Sequence, residues 1–246
     1  MMHRSTTSDR EAKPVIQPTD ALPCYRIYIV NGVFVSGGVE EGGRVRPPHL
    51  FTSLAGSIAA ETGWRASAIW PYGSRRIFGI PAFLALTRRA TARYAALLTE
   101  SIRVDVARYP LHERESVALI AYSGAVPIVQ TAATLLRPAI PVGAFVFFGP
   151  AVLPTKAPRD WAGDATIGCI LGERDWVQGV YPRLPRPWHS TMHPTTNARL
   201  RATLPSTTTY RTIACDHWPG YFTPAMWPVL VSAIADLLDP ASVPGY

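Results

Sequence analysis

Three residues in this chain have the types needed for nucleophilic chemistry at a carbonyl: Ser123, Asp175 and His217. A serine hydroxyl attacks poorly until an imidazole takes its proton. The imidazole in turn needs a carboxylate to fix its tautomer and stabilise its cation. Ser123 lies in Ala121-Tyr122-Ser123-Gly124-Ala125, directly after the apolar, β-branched run Val117 to Ile120 and before helix-forming residues that reach Leu136. That pattern reads as strand, sharp turn, helix. So tight a turn strains the backbone of its middle residue and demands small neighbours two positions away, which Ala121 and Ala125 are. Ser123 Oγ would then stand above the carboxyl end of the strand. The Gly124 N–H would lie at a helix N-terminus, where partial positive charge favours a developing oxyanion.

The other two residues take their places from the strands that precede them. Tyr25 to Val30 is a continuous apolar run, the mark of a strand buried on both faces, and Asn31-Gly32-Val33-Phe34 follows it. Further strands are expected at Ala66 to Trp70, Val142 to Phe148, Thr166 to Leu171 and Tyr210 to Ala214. Helices are expected at Leu50 to Thr62, Phe83 to Ile102 and Pro224 to Leu238. Alternation of this kind implies a doubly wound, mostly parallel sheet of about six strands, an α/β fold in which functional residues collect beyond the carboxyl ends of strands. The strand ending at Leu171 runs into Gly172-Glu173-Arg174-Asp175, and the one ending at Ala214 into Cys215-Asp216-His217-Trp218. Asp175 is the favoured acid, with Glu173 and Asp216 as adjacent alternatives.

The order serine, acid, histidine at these strand ends, together with the small-x-Ser-x-small turn, resembles the α/β-hydrolases and their nucleophile elbow, with alanine in both outer glycine positions. The resemblance covers roughly residues 25 to 238. It implies a Ser123, Asp175, His217 catalytic triad and an oxyanion hole completed by a second N–H from the loop after the first strand. The matching place is Asn31-Gly32-Val33-Phe34, so Val33 or Phe34 would be the donor. The pair of antiparallel strands that commonly opens the full fold is not expected here.

Residues 1–22 are polar and without periodicity and read as a flexible tail, which leaves 23–246 as a single domain. The Gly- and Pro-rich stretch VSGGVEEGGRVRPP is expected to lack regular structure. Its GGVEEGG run has no Lys and Ser/Thr of a phosphate loop and reads as a flap. Residues 176–208, dense in Pro, Trp, His and Arg, read as an irregular excursion and partial lid. The aromatics Trp176, Tyr181, Trp188, Trp218, Tyr221 and Phe222 would line an apolar pocket or pack a loop core, and Tyr122 reads as half-buried packing.

The net charge is +7, carried mostly by scattered arginines in place of a continuous basic stripe, so no nucleic-acid partner is expected. No apolar run approaches the roughly 18 residues of a membrane span, and the polar amino terminus lacks a signal-like centre, so a cytoplasmic protein is expected. Cys24, Cys169 and Cys215 are far apart and read as reduced, and no residue cluster has metal-ligand spacing. No cofactor is implied, and the expected partner is a small-molecule acyl substrate, free or carrier-bound. Three functions fit: hydrolysis of an ester or thioester through an acyl-enzyme on Ser123, acyl transfer or cyclisation by a thioesterase-like route at the same site, or non-catalytic binding on the same fold.

Overall fold

The computed structural model describes residues 24–32, 39–41, 44–46, 49–72, 88–151, 158–175, 196–217 and 220–239. Six strands form one all-parallel sheet: β1 (Cys24–Val30), β4 (Ala66–Ile69), β5 (Glu115–Tyr122), β6 (Val142–Phe148), β7 (Thr166–Gly172) and β8 (Thr209–Ile213), in the order β4-β1-β5-β6-β7-β8. The chain runs outward from β1 to β4 and then returns past β1 to β5. That reversal makes the carboxyl ends of β1 and β5 the switch point of the sheet, where open α/β sheets place their sites.

The strands bury both faces, and their side chains divide with a period of two. Tyr28, Val30, Leu119, Ala121, Phe145, Phe147, Cys169 and Leu171 point to one face, covered by α2 (Arg88–Arg108) and α3 (Val126–Leu136). Ile27, Ile29, Ala118, Ile120, Tyr122, Val146, Phe148 and Ile170 point to the other, covered by α1 (His49–Thr62) and α6 (Trp227–Leu238). Each large apolar side chain so buried contributes about 1.5–3 kcal/mol. Gly63 closes α1 in the left-handed conformation at φ +71°, its N–H on the Ala59 carbonyl, as helix-ending glycines do.

At the amino ends of the strands, Arg26 is buried and donates through Nε and Nη2 to the two carboxylate oxygens of Glu115, both at 2.9 Å. Asp105 of α2 joins this group, accepting from Tyr28 Oη at 2.7 Å and from Arg65 at 2.8 Å. These contacts explain why α2 continues to Arg108, beyond the expected end at Ile102: the extra turns carry Asp105 and the part-buried Val106 against the sheet. The expected start of that helix at Phe83 lies outside the described residues.

Two further expectations are corrected. The Gly- and Pro-rich stretch holds a hairpin, β2 (Val39–Glu41) antiparallel to β3 (Arg44–Arg46). In the ladder Val39, Glu40 and Glu41 lie opposite Arg46, Val45 and Arg44. Within the excursion 176–208, which otherwise lies mostly outside the described residues, α5 (Asn197–Thr203) forms two turns. The Thr196 side chain caps it by accepting from the Arg199 N–H. A short α4 (Pro158–Trp161) precedes β7, its Trp161 ring edge-on to Phe145.

Candidate functional site

β5 delivers Ser123 to the top of the sheet. The strand ends at Tyr122, a single 3₁₀ turn spans Ser123–Ala125, and α3 begins at Val126 with Pro127 in its first turn, where a missing N–H costs nothing. Ser123 has φ +53° and is the one described non-glycine residue in the left-handed region. That conformation costs an L-residue about 1–2 kcal/mol, supplied here by the buried strand and helix on either side. Ala121 and Ala125 are fully buried, as the tight turn requires.

His217 comes from the segment after β8 and Asp175 from the segment after β7. Backbone bonds join the two segments: the Glu173 N–H donates to the Ile213 carbonyl and the Arg174 N–H to the Cys215 carbonyl. Ser123 Oγ lies 2.8 Å from His217 Nε2, and His217 Nδ1 lies 2.9 Å from Asp175 Oδ2. All three side chains are buried. A carboxylate only accepts, so the Nδ1 facing it carries the ring proton, and Nε2 is left to accept from the serine hydroxyl. Of the three carboxylates weighed as the acid, Asp175 is the one on the His217 ring. Glu173 points to solvent, and Asp216 is half-buried with its Oδ1 beside Gly220.

Neighbouring backbones approach this group where only glycine leaves room. A Cβ on Gly32, after β1, would lie 2.8 Å from Ser123 Cβ, 2.9 Å from the Tyr122 carbonyl oxygen and 3.3 Å from the Gly124 N. The segment after β1 therefore runs against the elbow beside the Gly124 N–H. Val33 and Phe34, the expected second donors, lie outside the described residues. Gly149, after β6, has φ +50°, and a Cβ there would meet Tyr221, Tyr122 and His217 Nδ1 at 2.9, 3.2 and 3.3 Å. Neither glycine was singled out by spacing, because the crowding comes from chain segments far away in sequence.

Tyr122 is fully buried, not half-buried as its position suggested. Tyr221 and Phe222 pack against it and against Phe148, so these two aromatics belong to a packed core, while Trp176, Tyr181, Trp188 and Trp218 lie outside the described residues. Cys215 sits between β8 and His217. Burial, followed by the Asp175 and Asp216 carboxylates, pushes its thiol pKa up to about 12, so it stays protonated at neutral pH. Among the described residues no group of three or more His, Cys, Asp or Glu side chains could hold a metal ion, and no helix is long and apolar enough to cross a membrane.

No family model matches the sequence, and no curated protein matches it. Solved structures do. An esterase from Pyrobaculum calidifontis matches with a TM-score of 0.54 at 13% identity, over 92% of this chain and 79% of that one. The pyrethroid hydrolase PytH matches with a TM-score of 0.50 at 12% identity, over 91% of this chain and 100% of that one. Identities this low speak to architecture alone, and with the parallel six-stranded sheet and the strained serine turn they place this chain in the α/β-hydrolase fold.

Proposed function

We propose that the protein is a serine hydrolase that cleaves a carboxylic ester or thioester through an acyl-enzyme on Ser123. The observation that carries this reading is the unbroken line of contacts from Ser123 Oγ to His217 Nε2 and from His217 Nδ1 to Asp175. As the Ser123 Oγ–carbonyl bond forms, the hydroxyl proton passes to Nε2. The oxyanion is held by the N–H of Gly124 and that of Val33 or Phe34. The carbonyl–leaving-group bond then breaks and the leaving group takes the proton from His217. Water attacks the acyl-enzyme and gives its proton to the same nitrogen. Release of the acid returns that proton to Ser123. Asp175 holds the ring orientation throughout and stabilises the imidazolium. Two of the structural neighbours are by name an esterase and a pyrethroid hydrolase, which is compatible with this reading.

A fluorophosphonate probe tests it. Intact protein should gain one adduct, mapped by mass spectrometry to Ser123, and Ser123→Ala should gain none while keeping its circular dichroism. Aryl ester and acyl-thioester series then define the leaving group. Folded wild-type protein that stays unlabelled, or is labelled at another residue, overturns the assignment.

A further inference from the structure

Tyr122 precedes the nucleophile in the chain, yet its side chain reaches the base. Its hydroxyl donates to the backbone carbonyl of His217 at 2.7 Å, across 95 positions of sequence. Its ring stacks on the His217 imidazole with centroids 5.2 Å apart and planes 25° from parallel. The ring's other contacts fix its own orientation: Phe148 stacks on it at 4.8 Å, and Phe222 and Tyr221 meet it edge-on at 5.2 and 6.1 Å. One side chain thus joins the backbone of the elbow to both the main chain and the ring of the histidine.

Resting on the serine-hydrolase reading above, we propose that Tyr122 is a positioning residue for His217, acting as a hydroxyl clamp on its main chain and a platform for its imidazole. The bonds from Nδ1 to Asp175 and from Nε2 to Ser123 are made at the ring's edge and set its direction, but neither supports its face. The Tyr122 ring supplies that face, and its hydroxyl fixes the backbone from which the imidazole hangs. When the imidazole takes the serine proton, its positive charge lies within reach of an electron-rich ring face, an attraction absent while the histidine is neutral. Burial raises the Tyr122 hydroxyl pKa well above its ordinary value, with the negative charges of Asp175, ionised Cys215 and Asp216 adding to it, so the hydroxyl is a donor at neutral pH.

The test compares rates of fluorophosphonate labelling and of aryl-ester turnover in wild type, Tyr122→Phe and Tyr122→Leu. The control, Tyr28→Phe, removes a tyrosine hydroxyl bond of the same 2.7 Å length from the opposite end of the sheet. Tyr122→Phe should label about five- to tenfold more slowly, with kcat reduced and KM within about twofold, the effect of one buried neutral hydrogen bond. Tyr122→Leu should be slower again by about tenfold, and Tyr28→Phe should label at the wild-type rate. A second readout is independent of serine reactivity: the low-field proton resonance of the His217–Asp175 bond should broaden in Tyr122→Phe and vanish in Tyr122→Leu. Wild-type labelling rate and an unaltered resonance in a folded Tyr122→Phe overturn the clamp. A Tyr122→Leu no slower than Tyr122→Phe overturns the platform. Both results with a wild type that does label at Ser123 refute this inference alone, whereas an unlabelled wild type refutes the hydrolase reading and leaves the resonance to decide the role of Tyr122.

Discussion

Replacing Gly32 by alanine puts a methyl group 2.8 Å from Ser123 Cβ and 2.9 Å from the Tyr122 carbonyl oxygen. Ordinary carbon contacts begin at about 3.5 Å, so the new group is too close by about 0.7 Å. The elbow cannot yield, because Ala121, Tyr122, Ser123 and Ala125 are all buried between strand and helix. The segment after β1 must move instead, and overpacking of this kind costs about 1–3 kcal/mol. In a domain of this size that lowers Tm by roughly 5 °C. The same shift draws the backbone beside the Gly124 N–H away from the reacting centre, and displacements well under an ångström there should slow fluorophosphonate labelling by about 10- to 100-fold. Ser123→Gly removes both the nearest atom and the left-handed strain at φ +53°, so the alanine at position 32 should destabilise that background less than it does wild type. Differential scanning calorimetry on the four proteins of the cycle, with labelling rates for the two that keep Ser123, measures both effects. Gly32→Ala protein with wild-type Tm and a labelling rate within twofold of wild type would refute the packing of this segment on the elbow.

Two further outcomes follow from contacts described above. Asp175→Asn should slow labelling by about 10³- to 10⁴-fold through loss of the ring's orienting carboxylate, whereas Asp216→Asn and Glu173→Gln should stay within about threefold of wild type. A larger loss at either of those positions would move the acid. At the other end of the sheet, burial pushes the Glu115 carboxyl pKa up, but the Arg26 hydrogen bonds, the His112 N–H and the Arg26 charge outweigh that and hold it below its ordinary value of 4.5. A carboxylate depressed on folding stabilises the protein above its unfolded value and loses that contribution as pH falls through the folded one. The Tm gap between wild type and Glu115→Gln should therefore be full at pH 6, about 3 kcal/mol in stability, and shrink below about pH 4.5. A gap that grows on acidification would contradict the pairing.

What could be read from the sequence was what a local stretch decides. A β-branched run followed by Ala-Tyr-Ser-Gly-Ala specifies strand, turn and helix within about twenty residues, so the place of Ser123 was legible. So were Asp175 and His217, because each lies within four residues of the end of an apolar run. The choice of Asp175 over Asp216 needed the ring's orientation, which depends on how two segments 42 residues apart lie against each other. The contacts made at Gly32, Gly149 and Tyr122 are hidden from the sequence for the same reason: their neighbours are supplied by other strands. The β2–β3 hairpin and α5 carried local signals, Gly42-Gly43 between short runs and a threonine cap at Thr196, that were outweighed by the surrounding density of glycine and proline.

The buried Arg26 and Glu115 cluster and the Ser123 turn stand at opposite ends of adjoining strands. Ser123 lies eight residue steps along the chain from Glu115, about 26 Å of extended strand. Free energies of substitutions that far apart, with no shared partners, add. A change that tightens the ionic end can therefore offset one that strains the turn. The turn around Ser123 can therefore be altered independently of the arginine end, provided that end keeps the sheet closed.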